Sequence, residues 1–251
     1  MRPHPGDYYE ARGFSVYYLA NTVFNLVSHP GNYLRGIEDV LGDMRVLNLM
    51  RPFGRYTNLH YFVREICSEI VVEEVYTDDE DRRYIASFLD IYRVPYEIGD
   101  LEDIETFWDS AGGTERFQDA LDELTEEVFH VLFNDLIFLQ RFNRLCAGYV
   151  EIAGFDDGNR TTSGTLKRVR IPTWARRAVF HRDHGECRNC KKSLAQIISR
   201  LDVEHYDHIV PLALYGANDV TNLQLLCDAC NLAKSASPDN VSNLVQRSFR
   251  V

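Results

Sequence analysis

The 251-residue sequence has no run of apolar residues long enough to cross a bilayer as a helix, which takes about 20 such residues. Residues 1–7 also lack the apolar region of a secretory signal peptide. The chain has no internal repeat and no low-complexity tract. Residues 1–150 contain no Walker loop, dinucleotide-binding fingerprint or helix-borne pair of metal ligands. These absences predict a soluble, cytoplasmic protein that does not bind membranes, and they leave the N-terminal part without a catalytic motif.

Acidic and basic residues are distributed unevenly along the chain. The net charge is −11, but residues 1–159 contain 13 Arg and 30 Asp or Glu, whereas residues 160–251 contain 14 Lys or Arg and 8 Asp or Glu. An acidic region repels a polyanion, while a basic region attracts one by displacing the counterions of its phosphates. We therefore predict that the C-terminal part contacts nucleic acid. The alternative is that its basic side chains only solvate a small domain.

Apolar residues recur at helical spacing through the N-terminal part, which predicts a mainly α-helical domain. The predicted helices cover residues 16–27, 33–50, 59–75, 79–92 and 114–149. Their apolar stripes are more typical of a core than of an interface.

The periodicity ends where Gly, Ser, Thr and Asn dominate, at residues 153–167, and this composition is typical of a loop or linker. We predict an α+β protein with an acidic helical domain over residues 1–152, a linker over 153–169 and a small basic domain over 170–251. Pro172 is expected in the first turn of a helix over residues 173–182.

Four of the six cysteines form two C-x-x-C pairs, which 36 residues separate. Both thiolates of such a pair can point at one tetrahedral ion about 2.3 Å away, because the chain turns tightly between them. Two pairs fill every position around Zn²⁺, which predicts a structural zinc site that adds folding energy to a small domain. Four unrelated cysteines are the alternative, and the flanking sequence does not support a redox role. The predicted ligands are Cys187, Cys190, Cys227 and Cys230. Cys67 and Cys146 stand alone and are expected to be buried apolar residues.

Further motifs lie between and after these pairs. Residues 201–212 alternate as in a strand and contain D-H-I-V-P, residues 215–219 are turn formers, and residues 222–234 read N-L-Q-L-L-C-D-A-C-N-L-A-K. Preceded by C-x-x-C, this order of motifs resembles the HNH (ββα-metal) endonuclease family, and the combination is specific although each motif alone is weak. The resemblance implies a β-hairpin followed by a helix, with the zinc tying the base of the hairpin to that helix.

The residue types suit phosphodiester hydrolysis, which needs a deprotonated water, neutralised phosphoryl oxygens and a stabilised leaving oxygen. His208 can accept a proton near neutral pH and is the predicted general base. Asp207 and Asn231 offer oxygen ligands to one divalent cation. Neighbouring strand residues face opposite ways, so Asp207 and His208 can serve one site only if the strand is distorted at its end. The resemblance implies that the fold supplies this distortion.

The resemblance also implies that Asn222 fastens the loop and aims His208 without touching the metal. Asn231 stands where other family members carry His, and an oxygen ligand favours Mg²⁺ or Mn²⁺. Two roles stay open at this point. His205 is either a metal or phosphate contact or a solvated strand histidine, and Lys234 is either a phosphate contact or a surface charge.

The segment that precedes the hairpin in the sequence is rich in basic residues. Arginine grips phosphate through a bidentate fork, and phosphate contacts position a protein on DNA without reading its sequence. The predicted nucleic-acid contacts are Lys167, Arg168, Arg170, Arg176, Arg177, Lys191, Lys192 and Lys234.

The resemblance predicts a DNA endonuclease that nicks or cuts both strands. HNH proteins with helical appendages occur in restriction and anti-phage systems, often beside an ATPase, so the acidic domain is expected to bind a protein partner or to self-associate. An acidic lid that competes with DNA is a further reading. The alternative function is a zinc-stapled binding or scaffold module without cleavage activity. Such a module would be expected to lose Asp207 or His208, and both are present. A homing nuclease is disfavoured by the acidic domain.

Overall fold

The computed structural model describes residues 14–32, 40–42, 49–73, 79–153, 158–162, 164–194 and 206–234. Its helices are α1 (Val16–Ser28), α2 (Asn58–Glu73), α3 (Asp79–Ile91), α4 (Ile104–Asp109), α5 (Glu115–Phe133), α6 (Leu136–Ala153), α7 (Thr173–Arg182) and α8 (Asp228–Lys234). The strands β1 (Tyr206–His208) and β2 (Leu223–Leu225) form an antiparallel hairpin. Within these ranges, no helix has the length and apolarity needed to cross a membrane.

The predicted α+β class, mostly helical with a small hairpin before a C-terminal helix, is confirmed. The helices predicted at residues 16–27, 59–75 and 79–92 correspond to α1, α2 and α3. The bounds that the structure describes differ by at most one residue, and residues 74–75 lie outside the described residues. Most of the helix predicted over residues 33–50 lies outside the described residues.

The prediction of one helix over residues 114–149 is wrong, because the helix is interrupted at Asn134 and Asp135. The Asp135 side chain accepts a hydrogen bond from Phe138 N at 2.8 Å, and its carbonyl accepts one from Leu139 N at 2.9 Å. Asp135 therefore caps the start of α6, a position at which a short polar side chain replaces a missing helical partner. The apolar periodicity continues through the break because both helices bury one face, so the pattern conceals the end of the first.

The described residues fall into two compact units, one drawn from residues 1–19 and 64–127 and the other from residues 20–63 and 128–251. In the first unit, the buried ring of Phe117 lies 5.9 Å from that of Phe88 and 5.3 Å from that of Phe107. In the second unit, the rings of Phe62 and Phe142 lie 5.4 Å apart. The second unit also holds α6, α7, the hairpin and α8.

The segment predicted as a linker is partly described and contacts its surroundings. Arg160 pairs with Leu166 in an isolated β-bridge, and its guanidinium donates to the carbonyl of Val150 at 2.7 Å. The same guanidinium lies 5.8 Å from the ring centroid of Tyr215. Residues on both sides of the expected boundary belong to the second unit; the division into domains at residues 152 and 170 stays a prediction.

Pro172 precedes the first turn of α7, whose bounds of residues 173–182 are those predicted. Its φ of −69° suits a helix, but its ψ of 155° is extended, so Pro172 is the capping residue and α7 begins at Thr173. The helix itself ends at Arg182, as predicted.

Candidate functional site

The four predicted zinc ligands converge. The sulfurs of Cys187, Cys190, Cys227 and Cys230 all lie within 4.8 Å of one another. The sulfurs of Cys190 and Cys227 are 3.6 Å apart, far beyond the roughly 2.05 Å of a disulfide. Four sulfurs at about 2.3 Å from a tetrahedral Zn²⁺ would be about 3.8 Å from each other. The cluster therefore has the donors and the size to hold zinc. The two remaining cysteines, Cys67 and Cys146, are buried as predicted.

The first cysteine pair lies on a tight turn. Cys187 N donates to Lys192 O and Lys191 N donates to Cys187 O, both at 2.9 Å, and the φ of Lys191 is 63°. Arg188 N donates to Leu225 O at 2.9 Å, which joins the turn to β2. The four-cysteine cluster is thus fastened to the hairpin by the main chain.

Backbone N–H groups surround the sulfur of Cys187. Burial raises the pKa of this thiol, but hydrogen bonds from the N–H groups of Cys190, Cys227 and Asn189 outweigh it and bring the pKa to about 7. N–H donors aimed at a sulfur favour the thiolate, which is the form that binds zinc.

A buried ion pair connects α7 with β2, and sequence reasoning missed it. Arg182 donates through Nε and Nη2 to the carboxylate of Asp183 at 2.8 and 3.0 Å, and both side chains are nearly inaccessible. Asp183 accepts Leu225 N at 2.8 Å, while Arg182 also donates to Leu223 O at 2.6 Å. The pair thereby supports both ends of the strand that lies opposite His208.

Asp183→Ala is expected to lower the free energy of unfolding by about 3–5 kcal/mol, because it leaves the guanidinium of Arg182 buried without its partner. Asp109→Ala, at an exposed aspartate, is the control and should change the free energy by less than about 0.5 kcal/mol. Urea unfolding of both variants measures the difference. Equal midpoints for the two variants would contradict a supporting role for the pair.

The hairpin places Asp207 opposite Gln224 and His208 opposite Leu223. His208 is 3% exposed, and its Nε2 lies 3.3 Å from Oδ1 of Asn218. The amide nitrogen of Asn218 donates to Lys167 O at 2.8 Å. Since a carbonyl only accepts, Asn218 presents its NH₂ to Lys167 and its oxygen to His208, and Nε2 must carry the proton. The free lone pair of His208 is therefore on Nδ1.

The imidazole of His208 is held in its neutral form. Burial is the main cause and lowers its pKa to about 4, helped by the positive charges of Arg168 and Lys234. The charge of Asp207 and the hydrogen bond with Asn218 act in the opposite direction. A neutral imidazole is the form that can accept a proton.

Asn222 has the contacts of a loop fastener. Its side chain is fully buried, accepts Val210 N at 2.8 Å, and donates to Val210 O at 3.0 Å and to Ala217 O at 2.9 Å. A Cβ at Gly216 would lie 1.9 Å from Val210 O and 2.9 Å from the amide nitrogen of Asn222. Only glycine allows the chain to pass this closely. That Asn222 also aims His208 stays a prediction.

Lys234 is buried, and the reading of it as a surface charge is wrong. Its Nζ lies 2.7 Å from Oδ2 of Asp207 and donates to His208 O at 2.8 Å. Asn231 stands three residues earlier in α8 and is partly exposed. Residues three apart in a helix share a face, so Asn231 and Lys234 lie on the side of α8 that meets Asp207. The side chain of Asp207 is 18% exposed.

Asp207 and His208 have different contacts, Lys234 for the first and Asn218 for the second, as expected of neighbours on a strand. Lys234 links them, because it binds the carboxylate of one and the carbonyl of the other. The strand-end distortion stays a prediction. His205 lies outside the described residues.

The predicted nucleic-acid contacts differ in exposure. Arg176 and Lys191 are half-buried and Lys234 is buried, whereas the rest are exposed, namely Lys167, Arg168, Arg170, Arg177 and Lys192. Arg168 lies near enough to His208 for its charge to affect the imidazole, and Lys167 is tied to Asn218 through its carbonyl. The basic segment therefore reaches the candidate site.

Sequence reasoning missed Asn218 and Asp219, both buried in the turn before Asn222. Turn-forming composition at residues 215–219 was a signal for the turn, but gave no sign that Asn218 contacts His208.

A model of the family described as HNH endonuclease matches residues 187–237. No curated protein and no solved structure matches the chain. The matched residues include the four clustered cysteines, both hairpin strands and α8. The C-terminal region of this mostly helical chain therefore contains an HNH endonuclease domain.

Proposed function

We propose that this protein is a metal-dependent endonuclease that hydrolyses phosphodiester bonds of DNA, with His208 as the general base. The observation that carries the proposal is the environment of His208, whose buried neutral imidazole is held at Nε2 by Asn218. Any buried histidine needs a hydrogen-bond partner, but the positive charge of Arg168, which lies near enough to affect the imidazole, is what a site for phosphate would require in addition. The family match to an HNH endonuclease supports the same chemistry.

In the proposed reaction, Nδ1 of His208 takes a proton from a water molecule. The water oxygen forms a bond to phosphorus, the bond from phosphorus to the 3′ oxygen breaks, and that oxygen leaves with a proton from solvent. His208 becomes an imidazolium, which the charge of Asp207 and the oxygen of Asn218 favour. General-base catalysis of this kind contributes about 10²–10⁴-fold to a rate.

Asp207 and Asn231 are the proposed holders of one divalent cation. Oδ2 of Asp207 makes an ion pair with Lys234, yet no donor among the described residues gives it a hydrogen bond of good geometry. Two side-chain oxygens fit a hard ion such as Mg²⁺ or Mn²⁺ better than a soft one. When bound, such an ion neutralises charge on the phosphate and on the leaving oxygen.

The four-cysteine cluster is proposed to bind structural Zn²⁺. All four donors are protein sulfurs, which leaves no position for a substrate. The main-chain bond from Arg188 to Leu225 connects this cluster with the hairpin. Zinc would thus hold the strands that carry the reactive residues.

DNA is the proposed substrate, with phosphates held by the exposed basic residues at positions 167–177 and 191–192. The acidic helical region is proposed to bind a protein partner or a second copy of the chain. A cytoplasmic role as the nuclease effector of a restriction or anti-phage system remains the proposal for its biology, by analogy with HNH proteins that carry similar appendages.

Cleavage of supercoiled plasmid tests the proposed function. The full chain is expected to convert supercoiled DNA to nicked or linear forms with Mg²⁺ or Mn²⁺ and to stop when a chelator is added. Binding of DNA without any cleavage, with both metals and over a range of salt, would contradict the nuclease and favour the binding module. Because phosphate contacts dominate affinity, binding should weaken steeply between low and moderate salt.

A further inference from the structure

The turn formed by residues 216–222, here called the Asn218 turn, is held by residues distant in sequence. Asn218 O accepts Phe53 N at 2.7 Å. The next residue, Asp219, accepts Asn58 N at 3.2 Å through its side-chain Oδ2, across a separation of 161 residues. Both anchors lie outside the region that the family model matches, and both belong to the same compact unit as the turn.

Asp219 is a buried carboxylate with several donors. Its side chain is almost inaccessible, and Oδ1 accepts the N–H and the hydroxyl of Thr221 at 2.8 and 2.7 Å. These two bonds shape the turn locally. The bond from Asn58 to Oδ2 is different, because it leads out of the turn to the first residue of α2.

The beginning of α2 explains this bond. Tyr61 N donates to Thr57 O at 3.2 Å, so Thr57 is the capping residue and Asn58 the first residue of the helix. Thr57 and His60 satisfy each other, with His60 N on the hydroxyl of Thr57 at 3.3 Å and Thr57 N on His60 Nδ1 at 3.1 Å. The N–H of Asn58 remains one of the donors without a partner inside the helix. A carboxyl oxygen of Asp219 supplies the acceptor for this N–H, while burial raises the pKa of the carboxyl.

We propose that Asp219 is a positioning residue of the nuclease site, which fixes the Asn218 turn to the start of α2 and thereby orients His208. The inference rests on the proposed function, because the orientation of His208 matters for cleavage only if His208 takes the proton. It implies that the working nuclease includes residues 53–58, beyond the region matched by the family model.

The contact between His208 and Asn218 is sensitive to small movements of the Asn218 turn. At 3.3 Å it is already at the long end of the range for a hydrogen bond. The main chain of Asn218 is held by Phe53 and its neighbour by Asn58. A small movement of the turn away from these anchors would therefore separate Oδ1 from the imidazole and release the proton on Nε2.

Two variants remove the bond from opposite sides. Asn58→Pro deletes the N–H while keeping the helix start, since proline is favoured at the first helical position and the residue before it is normally extended. Asp219→Asn keeps almost the same shape but replaces one of the two acceptor oxygens by an NH₂ group, so the side chain cannot accept from both Thr221 and Asn58 N. Asn58→Ala keeps the N–H and loses only the side-chain bond to Leu49 O. Glu115→Pro places a proline at the first residue of α5 and controls for the proline itself.

The first measurement is ¹⁵N NMR of His208 in zinc-loaded protein without Mg²⁺ or Mn²⁺. The wild type and both controls should show one neutral tautomer with the proton on Nε2, whereas Asn58→Pro and Asp219→Asn should show a mixture. The second measurement is plasmid cleavage with Mn²⁺. Both variants should lose about 10- to 100-fold in kcat, as expected for a misplaced catalytic group, with KM for DNA and zinc content unchanged.

The double variant Asn58→Pro with Asp219→Asn should be no worse than either single variant, because both changes remove one interaction. An unchanged His208 tautomer in folded Asn58→Pro would overturn the proposal, and so would additive losses of kcat. If the proposed function is wrong, the wild type itself will not cleave DNA. The NMR measurement of the His208 tautomer does not depend on cleavage, so it still tests the positioning role of Asp219.

Discussion

His208→Ala is expected to lower kcat for plasmid cleavage by about 10²–10⁴-fold, the contribution of a positioned general base. The physical reason is that the proton-accepting lone pair of this imidazole is on Nδ1, because Nε2 carries the proton that faces Asn218. KM for DNA and the zinc content should not change, since His208 is buried and does not contact the cysteine cluster. Cleavage rates at saturating DNA, with and without Mn²⁺, measure the effect.

His208→Asn is the matched variant, because truncation of a buried ring leaves a cavity that destabilises the fold. Asparagine keeps an N–H donor for Asn218 but has no group that accepts a proton near neutral pH. It should be as inactive as His208→Ala while its unfolding temperature stays closer to that of the wild type. An asparagine variant that retained more than about a tenth of the wild-type kcat would contradict the assignment of the base.

The pH profile gives an independent check on the same residue. Since burial brings the pKa of His208 to about 4, the imidazole is neutral throughout the range from pH 5 to pH 8. A general base is active in its neutral form, so activity is lost only as the pH falls through this lowered pKa. An acid limb of kcat/KM with an apparent pKa near 6.5, the ordinary value for histidine, would show that the base is not this buried group.

Short motifs predicted the cysteine cluster and the hairpin because their contacts are local or fall within one small hairpin. The C-x-x-C spacing identified all four sulfurs that cluster. The D-H pair lies on β1, and the asparagine that follows the last cysteine lies on α8. These residues lie within about one hairpin and one helix of each other, where a fixed spacing leaves few arrangements of the chain. The role of Asn222 as a loop fastener was implied by the family resemblance, and its side chain bonds the main chain of Val210.

The partners of these residues could not be predicted, because they come from elsewhere in the chain. Asn218 meets Lys167 across 51 residues and Asp219 meets Asn58 across 161. A turn-forming composition indicates only that the chain bends. Which helix end the turn meets depends on packing of apolar faces, and that packing leaves no short pattern.

The burial of charged side chains could not be predicted from the sequence either. Lys234 was open to interpretation as a surface residue because lysine is almost never fully buried unless it is paired. Its partner, the carboxylate of Asp207, lies 27 positions earlier, and the pair forms only when α8 meets the hairpin. The Arg182–Asp183 pair was missed for the same reason, since adjacent opposite charges in a sequence are more often exposed than buried.

Loss of zinc is expected to have the second large effect, because the proposed metal adds folding energy to a domain too small to have a large core. Cys227→Ser should reduce zinc from about one ion per chain, the content of one four-sulfur site, to a small fraction of that. It should also abolish cleavage. Structural zinc contributes about 10–16 kcal/mol of apparent binding energy in small zinc-dependent folds, more than most domains have in total stability. Atomic absorption and the unfolding temperature of the variant measure both changes.

Cys67→Ala is the control, since Cys67 is buried apart from the cluster and should affect neither zinc nor cleavage. The two proposed metals can then be separated by the order of addition. After brief chelation that leaves zinc in place, Mg²⁺ or Mn²⁺ alone should restore cleavage by the wild type. After prolonged chelation under denaturing conditions, either ion should fail until Zn²⁺ is supplied during refolding. Full recovery without Zn²⁺ would contradict a structural role for the cluster, because Mg²⁺ and Mn²⁺ prefer oxygen ligands and cannot replace zinc among four thiolates.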